Sequence, residues 1–190
     1  MAVVLGQVGF LYEGSTPTMD VTIVYESAWG NTKDVAEAVA VGVTTQAGVA
    51  VTVLDVGAAP PADTLATHLL VVGAPTHAFG LSRPQTREDA ARRGGHPGAA
   101  GLREWIEAAG QIRPLVAAFD THVRHPNLPG AASKKAAKLL RRHGATLLVE
   151  PESFYVHGYE GPLLAHELDR ARSWGTNLAD RLAEGASHRH

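Results

Sequence analysis

The sequence predicts a single α/β domain, a doubly wound, five-stranded parallel sheet with helices on both faces, three layers in all. Three observations carry this prediction. From Val21 onward, β-branched runs alternate with amphipathic ones, the order that builds parallel sheets. The β-branched runs are apolar along their whole length rather than at every second residue, as in strands buried on both faces. The chain has 190 residues, 45% of them apolar, enough for one core hiding about 70% of the surface that the unfolded chain exposes.

Taken in order, the first strand is Val21-Thr22-Ile23-Val24-Tyr25. Asn31 or Thr32 is the expected N-cap of the first helix, whose Val35, Val39 and Val43 share one face before Gly48 ends it. The second strand covers 49–55, and Pro60-Pro61-Ala62-Asp63 opens a turn or short helix. The third strand, 69–73, leads into 74–101, read as one long irregular segment because Arg92-Arg93-Gly94-Gly95-His96-Pro97-Gly98 is too charged and too glycine-rich to pack. Leu102, Trp105, Ile106 and Ala109 mark a helix, and 115–119 the fourth strand. The next helix is expected to turn Ala132, Ala136, Leu139, Leu140 and His143 inward and Lys134, Lys135, Lys138, Arg141 and Arg142 outward, closing at Gly144. The fifth strand starts at Thr146, is interrupted at Pro151 and resumes over 154–156. The last helix is expected from Pro162 to Ala183, with Leu164, Leu168, Ala171, Leu178 and Leu182 at helical spacing and Trp174 in the core. Residues 1–19 find no place in the sheet and are expected as a flexible arm ahead of a domain spanning 20–184, and 185–190 as a disordered tail.

Composition bounds the chemistry. Cysteine is absent, which removes disulfides, thiolate catalysis and cysteine-held clusters. The apolar runs fall short of the roughly 20 residues a membrane helix needs, and no secretory pattern opens the chain, so a cytoplasmic location is expected. A net charge of -2 argues for neither nucleic acid nor an anionic membrane as partner. His122 and His125 stand three apart, but Pro126 follows and no acidic or cysteine ligand is close after them. No metal is expected.

The chemistry concentrates in the turns after the strands. Ser27-Ala28-Trp29-Gly30-Asn31-Thr32 joins the first strand to the first helix. Its hydroxyls, and N–H groups at a helix start, suit a phosphate monoester. Neither Gly-x-Gly-x-x-Gly nor Gly-x-x-x-x-Gly-Lys-Ser/Thr occurs there, so dinucleotide and triphosphate loops are excluded at this turn. The pattern Ser-x-x-Gly-Asn-Thr resembles the FMN-phosphate loop of flavodoxins and the wider flavodoxin-like family. After the third strand, Gly73-Ala74-Pro75-Thr76-His77-Ala78-Phe79-Gly80 resembles that family's second flavin loop. After the fourth, Asp120, Thr121 and His122 take the place of the groups that meet the pyrimidine edge.

The resemblance covers 21–182 and implies FMN as cofactor. Thr76 and His77 would then lie against the isoalloxazine, with Phe79 stacking or shielding it. Two departures stand out. Glycine comes at Gly80 rather than directly after the position of His77, and the third loop lacks a stacking tyrosine or tryptophan. The implied function is electron transfer through bound FMN, to a redox partner protein or a small acceptor, by a monomer or weak homodimer. An NAD(P)H-dependent flavin or quinone oxidoreductase is the alternative, using Arg83, Arg87, Arg92 and Arg93 to meet a nicotinamide phosphate. A non-catalytic interaction domain with a degenerate flavin site is the third reading.

Overall fold

The computed structural model describes residues 19–77, 80–124 and 130–187. In chain order the elements are β1 (Met19–Tyr25), α1 (Asn31–Val43), β2 (Val49–Asp55), a 3₁₀ turn (Ala62–Thr64), β3 (Leu69–Pro75), α2 (Pro84–Arg92) and α3 (Leu102–Glu107). There follow β4 (Leu115–Val123), α4 (Ala132–Arg142), β5 (Thr146–Leu147), β6 (Glu152–Val156) and α5 (Glu167–Ser187). The sheet runs β2-β1-β3-β4-β5, and β6 pairs with β4 where β5 has stopped. All pairings are parallel. The fifth sheet position is therefore one interrupted strand, divided around Pro151 as the sequence implies.

Alternation along each strand sends side chains to two separate cores. Val21, Ile23, Val71, Phe119 and Phe154 face α1 and α5. Val24, Leu70, Val72 and Val116 face α3 and α4, where Leu102, Ile106 and Leu140 close the layer. Trp174 packs edge-on against Phe119 and Phe154, at 6.0 and 6.2 Å between ring centres. On the first face α1 and α5 approach backbone to backbone. A Cβ on Gly42 would strike the Arg172 carbonyl, and one on Gly175 would strike that of Val39.

Several boundaries differ from the sequence reading. The segment 74–101 is not wholly irregular: α2 forms inside it because Pro84 sits in the first turn and Thr86 accepts the Arg83 N–H. Its charge packs because Arg87 is buried and bonded to Ser82 and Glu104. Gly30, with φ of 90°, is the N-cap of α1 instead of Asn31 or Thr32. The last helix starts at Glu167, five residues after Pro162, because the Leu164 N–H goes to the Tyr155 carbonyl and Leu163 bridges Val156. That helix continues through Ser187, into the expected tail, and Met19 is already strand. The rest of the expected arm, residues 1–18, lies outside the described residues. Among those described, no helix is long and apolar enough to cross a membrane.

Candidate functional site

The sheet reverses direction between β1 and β3, and a cleft opens there beyond the carboxyl ends of the strands, where doubly wound folds take ligands. Ser27, Ala28, Trp29, Asn31 and Thr32 line it from the turn after β1, and Pro75, Thr76 and His77 from the end of β3. Thr121, His122 and Val123 come from β4, and Val156 and Tyr159 from the end of β6 and beyond. Three of the four turns are those that the sequence brought together. The fourth was missed. Tyr159 lies three residues past the carboxyl end of β6, and nothing local in the sequence marks it as a residue that crosses to another turn.

The first turn is tied down by its own side chains. Gly30 donates its N–H to Ser27 Oγ at 3.1 Å, and its left-handed φ suits glycine. Asn31 reaches across to the Glu160 carbonyl at 2.9 Å. Thr32 points inward and shares a 2.8 Å hydrogen bond with the Thr121 hydroxyl. The N–H groups of Asn31, Thr32 and Lys33 have no acceptor among the described residues, as at any helix start, and they add donors and partial positive charge at this end of the cleft.

Behind the turn, Glu26 is buried and its carboxylate accepts the Leu102 N–H at 2.8 Å. Burial pushes its carboxyl up from the usual range, against the opposing pull of bonds to Ser82 and Leu102 and of the Arg87 charge. This ties the end of β1 to the start of α3 and to Ser82, just ahead of α2.

At the other end, His77 and Gly80 exchange backbone bonds, His77 N–H to Gly80 O at 2.9 Å and the reverse at 2.8 Å. The displaced glycine thus closes a tight turn and stays outside the cleft lining. Phe79 lies outside the described residues. His77 is buried, and burial, with the Arg87 charge adding to it, holds its imidazole below the usual range and neutral at pH 7. Its Nδ1 shares a 3.0 Å hydrogen bond with the Tyr159 hydroxyl. Tyr159 meets Trp29 edge-on with ring centres 5.2 Å apart, and Arg93 lies over its ring at 5.2 Å. An aromatic wall thus stands beside His77, built from the turns after β1 and β6.

Asp120 requires a correction. β4 extends to Val123, so Asp120, Thr121 and His122 belong to a strand; Asp120 shares its face with His122 but sits two residues deeper, against the start of α4, and is not among the residues lining the cleft. Asp120 is fully buried and accepts both the N–H and the hydroxyl of Ser133, each at 2.9 Å. With Thr76, which accepts the Ala132 N–H, it caps α4, a helix whose own N-cap is Ala131. Its second oxygen holds His122 Nδ1 at 2.9 Å. Asp120 positions rather than lines. Gly30 likewise shapes its turn without lining the cleft.

The arginines proposed for a nicotinamide phosphate are largely engaged. Arg87 is paired with Glu104 and Arg92 with Glu88 and Asp89, while Arg93 covers Tyr159. Arg83 is exposed at the start of α2. Among the described residues no group of three potential ligands is placed to hold a metal ion.

Neither a protein-family model nor a curated protein sequence matches this chain. Solved structures do. A flavodoxin from the domain Archaea superposes with TM-score 0.62 and 20% identity, over 87% of this chain and 99% of that one. Oxidised Flavodoxin 1 from Bacillus cereus gives TM-score 0.62 and 16% identity, over 85% and 97%. A metal-soaked flavodiiron core from Synechocystis gives 0.60 and 21%, over 89% of this chain and 37% of that one. Strand order, the placing of the cleft and these superpositions agree: the chain has the flavodoxin-like fold.

Proposed function

We propose that the chain binds FMN in the cleft between β1 and β3 and serves electron transfer through it. One observation carries this reading: a donor-rich turn, 27–32, and an aromatic pair, Trp29 and Tyr159, line the same cleft at the point where the sheet reverses. The turn suits the phosphate, through Ser27 and the first N–H groups of α1. Thr76 and His77 would stand along the ring, and Thr121 and His122 at its pyrimidine edge. Ala28, Trp29 and Pro75 would supply apolar contact, and the turn closed by Gly80 would hold His77 in place.

The residues fit this group with one movement. A ring sandwiched between two aromatic faces needs them about 7–8 Å apart, twice the carbon contact distance. Tyr159 now meets Trp29 at 5.2 Å and is 44% exposed, so admitting the ring requires it to swing outward and give up its hydrogen bond to His77 and its contact with Arg93. When bound, the flavin supplies the redox chemistry and the protein supplies position and polarity. Among the described residues lining the cleft there is no lysine or arginine, and burial disfavours the charged form of His77. Negative charge gained by the ring on reduction therefore meets no cation there, which favours a low potential. Arg87 and Arg92 already hold carboxylates, which favours a carrier over a nicotinamide-dependent enzyme.

Titrating the purified chain with FMN and with riboflavin tests the reading. FMN fluorescence is expected to be quenched, and Ser27→Ala to weaken FMN about tenfold while leaving riboflavin unchanged, the size of a lost charge-assisted hydrogen bond. Absence of FMN binding overturns the proposal. Turnover of NADPH with a quinone would move the assignment to the oxidoreductase.

A further inference from the structure

The strongest one-sided charge in the fold lies on α4. Lys134, Lys135, Lys138, Arg141 and Arg142 are exposed on a helix without an acid. None of the five is in an ion pair with a described residue. The whole chain carries -2, so this charge is segregated and does not reflect a general surplus. Lys135, Lys138 and Arg142 join Arg103 in a groove completed by Leu139 and Glu107. Glu107 lies 3.8 Å from Arg103, which leaves three cations uncompensated there.

The patch adjoins the cleft. The Lys135 side chain lies beside Gly80, the glycine whose backbone closes the turn on His77. We propose that the groove between α3 and α4 docks a protein partner through an acidic surface, with the cleft at its rim. Docking depends on charge alone; that the partner exchanges electrons rests on the FMN reading above.

The geometry favours a protein over a polyanion or a membrane. The helix has 11 residues, about 16 Å of length, which is the scale of a small protein contact and not of a track along a duplex. Its apolar face, with Ala136 and Leu140, is buried in the core, so it has no apolar stripe to insert among lipids. Opposite charge across such a face speeds encounter and selects the partner.

A fluorescent polyglutamate peptide of about twenty residues serves as the probe, since basic clusters recognise acidic segments. It is expected to bind at low salt and to be released at high salt. Lys135→Glu, Lys138→Glu and Arg142→Glu together should weaken it by about tenfold or more. Arg172→Glu, which reverses a residue paired with Asp169 on α5, should leave it unchanged. If the triple reversal lowers the melting temperature, the corresponding glutamine variant replaces it. No binding, binding indifferent to these changes, or equal binding of a DNA duplex or anionic vesicles overturns the proposal. In FMN-loaded, photoreduced protein, oxidation by ferricyanide should slow as salt rises, and the triple variant should lose that dependence. Loss of FMN binding would overturn the functional reading alone and leave the peptide to decide the docking.

Discussion

His77 illustrates how far a single residue can be read. Its place after the third strand was visible in the sequence, but its lowered basicity follows from burial and from the charge of Arg87, and its partner Tyr159 comes from a distant segment. The unfolded imidazole titrates near 6.5 and the folded one below it. Between those values the native state holds fewer protons, so His77's contribution to stability is present above 6.5 and lost as pH falls through the lowered value. An NMR titration should show its ring protons moving only below that pH; a midpoint at or above it would mean the cleft is wetter than described. Tyr159 was illegible because no local pattern tells a turn tyrosine that faces solvent from one that crosses to another turn. Asp120 was placed at the cleft because the strand's end was set four residues short: the strand runs on to Val123, which leaves Asp120 fully buried within it and bonded to Ser133 at the start of α4.

Among elements, the contact of α1 with α5 is the most demanding. Gly42 and Gly175 lie where each helix meets the other's carbonyl oxygens, so a methyl group must push two backbones apart. Gly175→Ala should cost about 1–3 kcal/mol in urea unfolding, as overpacking does, and leave FMN affinity intact, since α1 meets the cleft only at its first turn. Loss of affinity together with stability would show the two ends of α1 to be coupled. All five sheet positions, and every helix except α2, could be read from the runs and spacing of apolar residues. The ends could not, because Thr76 and Asp120 cap α4 from other strands and Gly30 caps α1 through its backbone conformation. α2 escaped notice because it is held by buried Arg87 pairing with the half-exposed Glu104, residues 17 apart, and not by an apolar stripe.

For the whole molecule, Glu26 ties folding to pH. Its carboxyl is raised above 4.5 by burial, so between that value and its folded one the native state holds more protons than the unfolded state. The stability it contributes is full below 4.5 and lost as pH rises through the raised value. Glu26→Gln keeps an acceptor for the Leu102 N–H and should gain on the parent chain as pH rises from 4.5 toward neutral, read as urea midpoints. Parallel curves would show that the carboxyl titrates alike in the folded and unfolded chain.

The interrupted fifth strand has a consequence for how copies of the chain meet. Sheets polymerise when a free border presents an unbroken ladder of donors and acceptors to the next molecule. This border consists of a two-residue stub and a five-residue piece, parted by Pro151, which brings no N–H. A neighbour seeking to zip onto it finds no continuous template, so fibril-like growth from that side is blocked by the same proline that divides the strand.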